Sequence, residues 1–77
     1  MSQNVEGKIE QSIGEKRVRL SFNPSNNELV DEIKLKSAEL IDLCESMKDK
    51  DPRLVALAQT HYEDAAMWAV KAATTPE

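Results

Sequence analysis

Lys16, Arg17 and Arg19 precede a cluster of amide and hydroxyl side chains, Asn23, Ser25, Asn26 and Asn27, and Lys34 and Lys36 follow closely after it. Ser25 followed three residues later by Glu28 makes a capping box, so a helix is expected to begin here. The first turn of a helix presents N–H groups without intrahelical partners and the positive end of the peptide dipoles, which together suit a phosphate. The five basic residues either converge on such an anion or stay solvated. Phe22 is either a core side chain or a platform for a base, and base stacking contributes roughly 1–3 kcal/mol. Hydrogen bonds to a charged phosphate are stronger than neutral ones. The chemistry these residues suggest is recognition of an anion, not turnover.

No other residue set specifies a reaction. His61 is the single histidine, and its neighbours Tyr62, Glu63 and Asp64 leave a helix in different directions instead of converging on one metal or substrate. A general base needs a nucleophile and an orienting group, and no spacing in the chain supplies either. His61 therefore reads as a histidine at a helix–helix seam. Two glycines in unrelated places cannot form a phosphate-binding loop. No catalytic residue, metal ligand or cofactor follows from the sequence.

The elements that must position the basic residues are mainly helical. Asp51 caps a helix whose first position is Pro52, which gives up only a donor that had no partner, and the pattern runs over 52–73. Leu54, Ala58, His61, Ala65, Trp68 and Ala72 fall on one face of it, with Val55, Tyr62, Ala66 and Ala69 as an adjoining strip. Trp68 reads as core or subunit contact before ligand platform. The preceding helix is expected over 26–47, with Val30, Ile33, Ser37, Leu40, Cys44 and Met47 as its seam, widened by Leu29 and Ile41. Lys48-Asp-Lys-Asp51 is a turn short enough to force the two helices antiparallel. Ahead of them, Lys8 to Ile13 and Lys16 to Phe22 alternate weakly. Val18, Leu20 and Phe22 point one way in the second segment, the pattern of a half-buried strand; a short helix over 4–13 is the alternative. The chain thus divides into an N-terminal arm, 1–22, and a helical hairpin domain, 23–77.

Seventy-seven residues make one domain, whose core supplies on the order of 3–5 kcal/mol before partners are added. Both helices carry more apolar face than one mate can cover, so a homo-oligomer built on dimers is expected. The lone Cys44 cannot form an intrachain disulfide and sits among apolar residues, as suits a buried thiol in a reduced compartment. Neither a leader nor an apolar run of about 20 residues is present, which leads to the expectation of a cytoplasmic protein that does not enter membranes. A net charge of −4 argues against a general grip on duplex nucleic acid.

Ser21-Phe-Asn-Pro-Ser25, Val30-Asp-Glu-Ile-Lys34, Ala38-Glu-Leu-Ile-Asp42, Asp51-Pro-Arg53 and Ala65-Ala-Met-Trp-Ala-Val-Lys-Ala-Ala-Thr74 resemble, in order and spacing, the helical hairpin domain of the bacteriophage anti-CBASS cyclic-nucleotide sponges and their Thoeris anti-defence relatives. The resemblance spans roughly residues 19 to 76. It implies a non-enzymatic, cytoplasmic protein that sequesters cyclic dinucleotides or related messengers in the infected bacterium. It also implies a homo-oligomer, commonly a hexamer, with pockets between protomers. In the anti-CBASS branch a lysine of the Glu-Ile-Lys segment grips the ligand, and this carries to Lys34. An aromatic residue upstream of the proline does so too, but counting back without gaps puts Arg19 there, with Phe22 the nearest aromatic. The stacking contact is then either replaced by a guanidinium plane or moved. A basic residue ahead of a threonine holds cyclic trinucleotides, whereas this chain has Gln59-Thr60 and departs from that pattern. With Asn23, Ser25 and Lys36 added from the reading of the helix start and the basic residues, the expected ligand set is Arg19, Phe22, Asn23, Ser25, Lys34, Lys36, Gln59 and Thr60. The rival reading is a small helical protein–protein interaction or assembly module.

Overall fold

A computed structural model of the chain describes residues 10–76. Among them are three helices and no strand: α1 (Ile13–Val18), α2 (Glu28–Glu45) and α3 (Pro52–Ala73). The expected N-terminal strands are corrected where they can be judged, since residues 13–18 are helical; the start of the first segment and most of the alternative helix over 4–13 lie outside the described residues. The helix forms because Ser12 and Glu15 make a capping box, with Glu15 N donating to Ser12 Oγ at 3.1 Å and Ser12 N donating to Glu15 Oε1 at 2.9 Å. It ends at Arg19, which takes the left-handed conformation at φ 56° and lets Leu20 N close back on Glu15 O at 3.0 Å.

The cap of α2 also differs from the Ser25–Glu28 expectation. Asn27 is the N-cap, its side chain accepting from Leu29 N at 2.8 Å, while Ser25 Oγ donates to Asn23 Oδ1 at 2.9 Å within the preceding loop. An amide oxygen one residue from the first helical position reaches the free N–H groups directly, and Ser25 is too far back to do so. At α3, Asp51 accepts from Leu54 N at 3.1 Å and Pro52 opens the helix.

The long helices are antiparallel. Asn27 Nδ2, at the start of α2, donates to Ala73 O at the end of α3 at 3.2 Å, and Gln59 Nε2 donates to Ile41 O midway at 3.1 Å. Their shared seam is displaced from the one that apolar spacing alone suggests. On α2 the buried residues are Val30, Lys34, Ala38, Ile41 and Cys44; on α3 they are Val55, Gln59 and Ala66. His61 lies outside the seam and is exposed, as are Leu29, Leu40, Met47, Leu54, Ala65, Trp68 and Ala72. Lys34 and Gln59 are part of that seam because their polar ends bond to main-chain oxygens there, which an apolar pattern does not register.

Gly14 seats α1 on α2. Its N–H donates to Asp42 Oδ1 at 2.7 Å, and a methyl group at this position would overlap the main-chain carbonyl of Ala38. Val18 then joins Ala38, Ile41 and Ala66 in one cluster, with Leu20 and Ile33 packed against it. The short helix thereby brings Arg17 and Arg19 to the edge of the hairpin.

Candidate anion-binding pocket

Where the end of α1 meets α2 and α3, Arg17, Val18, Arg19, Phe22, Lys34, Glu63, Ala66, Met67 and Val70 line an open cavity of about 360 Å³. Lys34 is one of the lining residues and is 7 % exposed, buried with the helix seam. Its ammonium donates to Arg19 O at 3.0 Å and to Phe22 O, so the loop after α1 is tied to α2 by one side chain. Two carbonyl oxygens are acceptors, not full counter-charges. Burial therefore lowers the Lys34 pKa below the usual lysine value of 10.5, the neighbouring Arg19 cation adds to that, and Asp31 opposes it.

Phe22 is fixed without being covered. Its ring lies 5.3 Å from the Arg19 guanidinium carbon and 5.4 Å from Lys34 Nζ, within the range of cation–π attraction. It is nevertheless 57 % exposed, so it is not part of the hairpin core. Arg17 closes the far side: Arg17 Nε donates to Glu63 Oε1 at 2.8 Å, and its terminal nitrogen donates to Thr60 Oγ1 at 3.4 Å.

Of the residues singled out from sequence, Arg19, Phe22 and Lys34 meet in this cavity, and Thr60 borders it through Arg17. The others lie elsewhere. Asn23 donates to Asn27 O and to Asp31 Oδ1, both at 2.9 Å, and Ser25 is bonded to Asn23, so these polar groups satisfy one another beside a carboxylate. Lys36, two residues from Lys34 and hence on another side of α2, pairs with Glu32 at 3.7 Å. Gln59 is 3 % exposed, and its amide donates to Ile41 O and to Glu45 Oε1 at 2.9 Å. That bond from Gln59 is the main influence lowering the Glu45 pKa, partly opposed by burial and reinforced by Lys48. Glu63, Met67 and Val70 were not legible as pocket residues, because only the docking of α1 brings Arg17 to a residue 46 positions away.

The cavity offers cations, a held aromatic ring and an apolar floor of Ala66, Met67 and Val70. Such a surface suits a flat, anionic molecule in shape and charge. Among the described residues, no group of three or more His, Cys, Asp or Glu side chains is placed to hold a metal ion, and no helix is long and apolar enough to cross a membrane.

The family model described as Acb2/Tad1, hairpin domain, matches residues 13–74. No curated protein and no solved structure matches the chain. The matched segment runs from the first residue of α1 to the end of α3 and takes in every residue that lines the cavity. Covering well over half of its length, the match shows that the chain belongs to the Acb2/Tad1 hairpin-domain family, whose members are generally non-catalytic nucleotide sponges with an anti-defence role.

Proposed function

We propose that this protein sequesters cyclic dinucleotide messengers of bacterial anti-phage defence, in the cytoplasm of the host cell and without hydrolysing them. One observation carries the reading: Arg17, Arg19 and Lys34 line a single open cavity together with an exposed phenyl ring. Arg17 and Arg19 come from the end of α1 and the loop after it, and Lys34 from α2, all inside the matched segment 13–74. The cations address phosphates and Phe22 stacks on a base, so both halves of a nucleotide find a partner. The cavity volume lies within the range of small-molecule sites. Fixed cations and a stacking ring hold a ground state as well as any later state, and so bind without accelerating cleavage.

A protein contact is favoured by a second observation. Leu29, Leu43, Leu54 and Trp68 are each more than half exposed, on the sides of the helices that the hairpin leaves bare. We assign these faces to further copies of the same chain, in a dimer-based homo-oligomer such as a hexamer. Light scattering at micromolar concentration tests this, and a monomer would refute it.

For the ligand, titration calorimetry with cyclic di-AMP, cyclic di-GMP and cyclic GMP–AMP is the test. At least one should bind, and chromatography after heat denaturation should recover it intact. Linear dinucleotide accumulating with time and protein concentration would mean an enzyme; no heat from any of the three would sink the reading.

A further inference from the structure

α1 covers only one face of the hairpin. Its Gly14 N–H meets Asp42 of α2, and its Arg17 meets Thr60 and Glu63 of α3, so those three positions mark the covered face. At about 100° per residue, Leu29, Ile33, Lys36, Leu40 and Leu43 fall on the opposite side of α2. On α3 the same side carries Leu54, Ala58, His61, Ala65, Trp68 and Ala72. Both stripes advance in steps of four and three residues, the spacing of a helix–helix seam, and each lies about 120° from the residues buried inside the hairpin. Leu29, Leu43, Leu54 and Trp68 are nevertheless more than half exposed. The described chain measures 12 Å in its thinnest direction, about the width of one helix, and a stable domain packs a second layer on such a face.

Charge selects the layer. The outer edge of the α2 stripe carries exposed Glu28, Glu32 and Glu39 around Lys36, and the outer edge of the α3 stripe carries exposed Asp64 and Lys71. The bonds from Asn27 to Ala73 and from Gln59 to Ile41 fix the antiparallel register, in which Lys36 stands level with Asp64, and Glu32 with Trp68, one turn from Lys71. A second copy related by a twofold axis parallel to the helices keeps those levels and sets α2 of each copy on α3 of the other. Lys36 then meets Asp64 of the second copy, while Glu28 and Glu32 flank its Lys71. A twofold axis across the middle of the helices would instead stack α2 on α2, with Lys36 against its own counterpart and Glu32 beside Glu39. Within one chain Lys36 has only Glu32, at 3.7 Å, and both side chains are at least 60 % exposed. A polar residue inside an apolar heptad stripe, as Lys36 is, commonly sets register at some cost in stability.

We propose that the face opposite α1 seats a second copy of this chain, α2 on α3 in both directions, with Lys36 paired to Asp64 of the other copy twice about the twofold axis. The inference rests on the self-association proposed above and gives it a face, a register and a charge pairing. Two helices side by side, about 30 Å long and 18 Å wide, offer on the order of 500–600 Å² per copy, or about 1,000–1,200 Å² in the pair. That is the lower edge of the range for stable interfaces, so the pair forms reversibly and single charges shift it. The Lys34 cavity lies beside α1 on the other face and stays open in this dimer.

The test is sedimentation velocity over a concentration series for the wild type, Lys36→Glu, Asp64→Lys and the double variant carrying both changes in one chain. Circular dichroism checks that helix content is retained. Each single reversal sets like charges opposite one another at two places and should weaken association by about tenfold. The double variant restores opposite charges and should return to within about threefold of the wild type. Trp68 is the single tryptophan, so acrylamide quenching of its fluorescence should fall as the wild type associates. Single variants that associate like the wild type, a double variant as weak as the singles, or a Trp68 that stays fully quenchable in the associated protein would each overturn the proposal while leaving self-association intact. A wild type that remains monomeric throughout the series would overturn the self-association reading and this one with it.

Discussion

Lys34 Nζ donates to the main-chain oxygen of Arg19 at 3.0 Å, so the lysine assigned to the ligand also fastens the loop that carries the pocket's other contacts. A role in the fold and the role proposed for it in binding meet in one ammonium group. The resemblance to cyclic-nucleotide sponges implies only the second.

Lys34→Ala should therefore lose both stability and affinity. Removing the ammonium leaves the carbonyl of Phe22 without this donor, at a cost of about 1–3 kcal/mol, and deletes a charged contact to phosphate of similar size. Urea denaturation and calorimetry on the same preparation check the two effects. A variant of wild-type stability would mean that the loop is held by other contacts.

Arg19→Gly should separate those properties. Arg19 adopts φ 56°, a region that costs an L-residue about 1 kcal/mol and glycine almost nothing. The variant is expected to melt at or above the wild-type temperature, because glycine suits the position that ends α1, while ligand binding weakens through loss of the guanidinium beside Phe22. A fall in melting temperature of several degrees would show that the arginine side chain, not its backbone, closes the turn.

Gly14→Ala tests the contribution of α1. The added methyl meets the carbonyl of Ala38, which is main chain and cannot step aside, so overpacking by roughly 1–3 kcal/mol outweighs the helix-propensity gain of about 0.5–1 kcal/mol. With α1 displaced, Arg17, Val18 and Arg19 leave the pocket wall. Affinity should fall even though residue 14 touches no ligand, and wild-type affinity would mean that α1 is dispensable to the site.

Much of the hairpin could be read in advance for identifiable reasons. Asp51 and Pro52 mark the start of α3 by chemistry that needs no tertiary context. The short helix was obscured because six residues give no clear 3.6 period, while Val18, Leu20 and Phe22 happen to alternate. The capping pair Ser12 and Glu15 was the signal that could have revealed it. The seam was displaced because Lys34 and Gln59 count as polar in any apolar pattern, yet each buries its stem and bonds to main-chain oxygen. For the pocket, Arg19, Phe22 and Lys34 lie within 16 consecutive residues and could be grouped by eye. Glu63 could not.

Alkaline pH should move stability and affinity in opposite directions. Burial, aided by Arg19 and opposed by Asp31, holds the folded-state Lys34 pKa below 10.5, so between that lowered value and 10.5 the unfolded chain binds more protons than the folded one. The contribution of Lys34 to stability accordingly rises with pH across this window. Anion affinity falls over the same window as the ammonium charge is lost. Titrations from neutral to alkaline pH in the wild type and in Lys34→Arg, which keeps its cation throughout, read both trends. Identical pH profiles for the two proteins would remove Lys34 from the ligand site.

The most direct measurement of where the messenger binds is a two-dimensional amide NMR titration of the labelled protein with the tightest cyclic dinucleotide. The resonances that move or broaden should cluster at Arg17 to Phe22, at Lys34 and along Glu63 to Val70, the walls of one cavity. Changes confined to the outer face around Leu54, Leu57 and His61, with Phe22 and Lys34 unmoved, would contradict it.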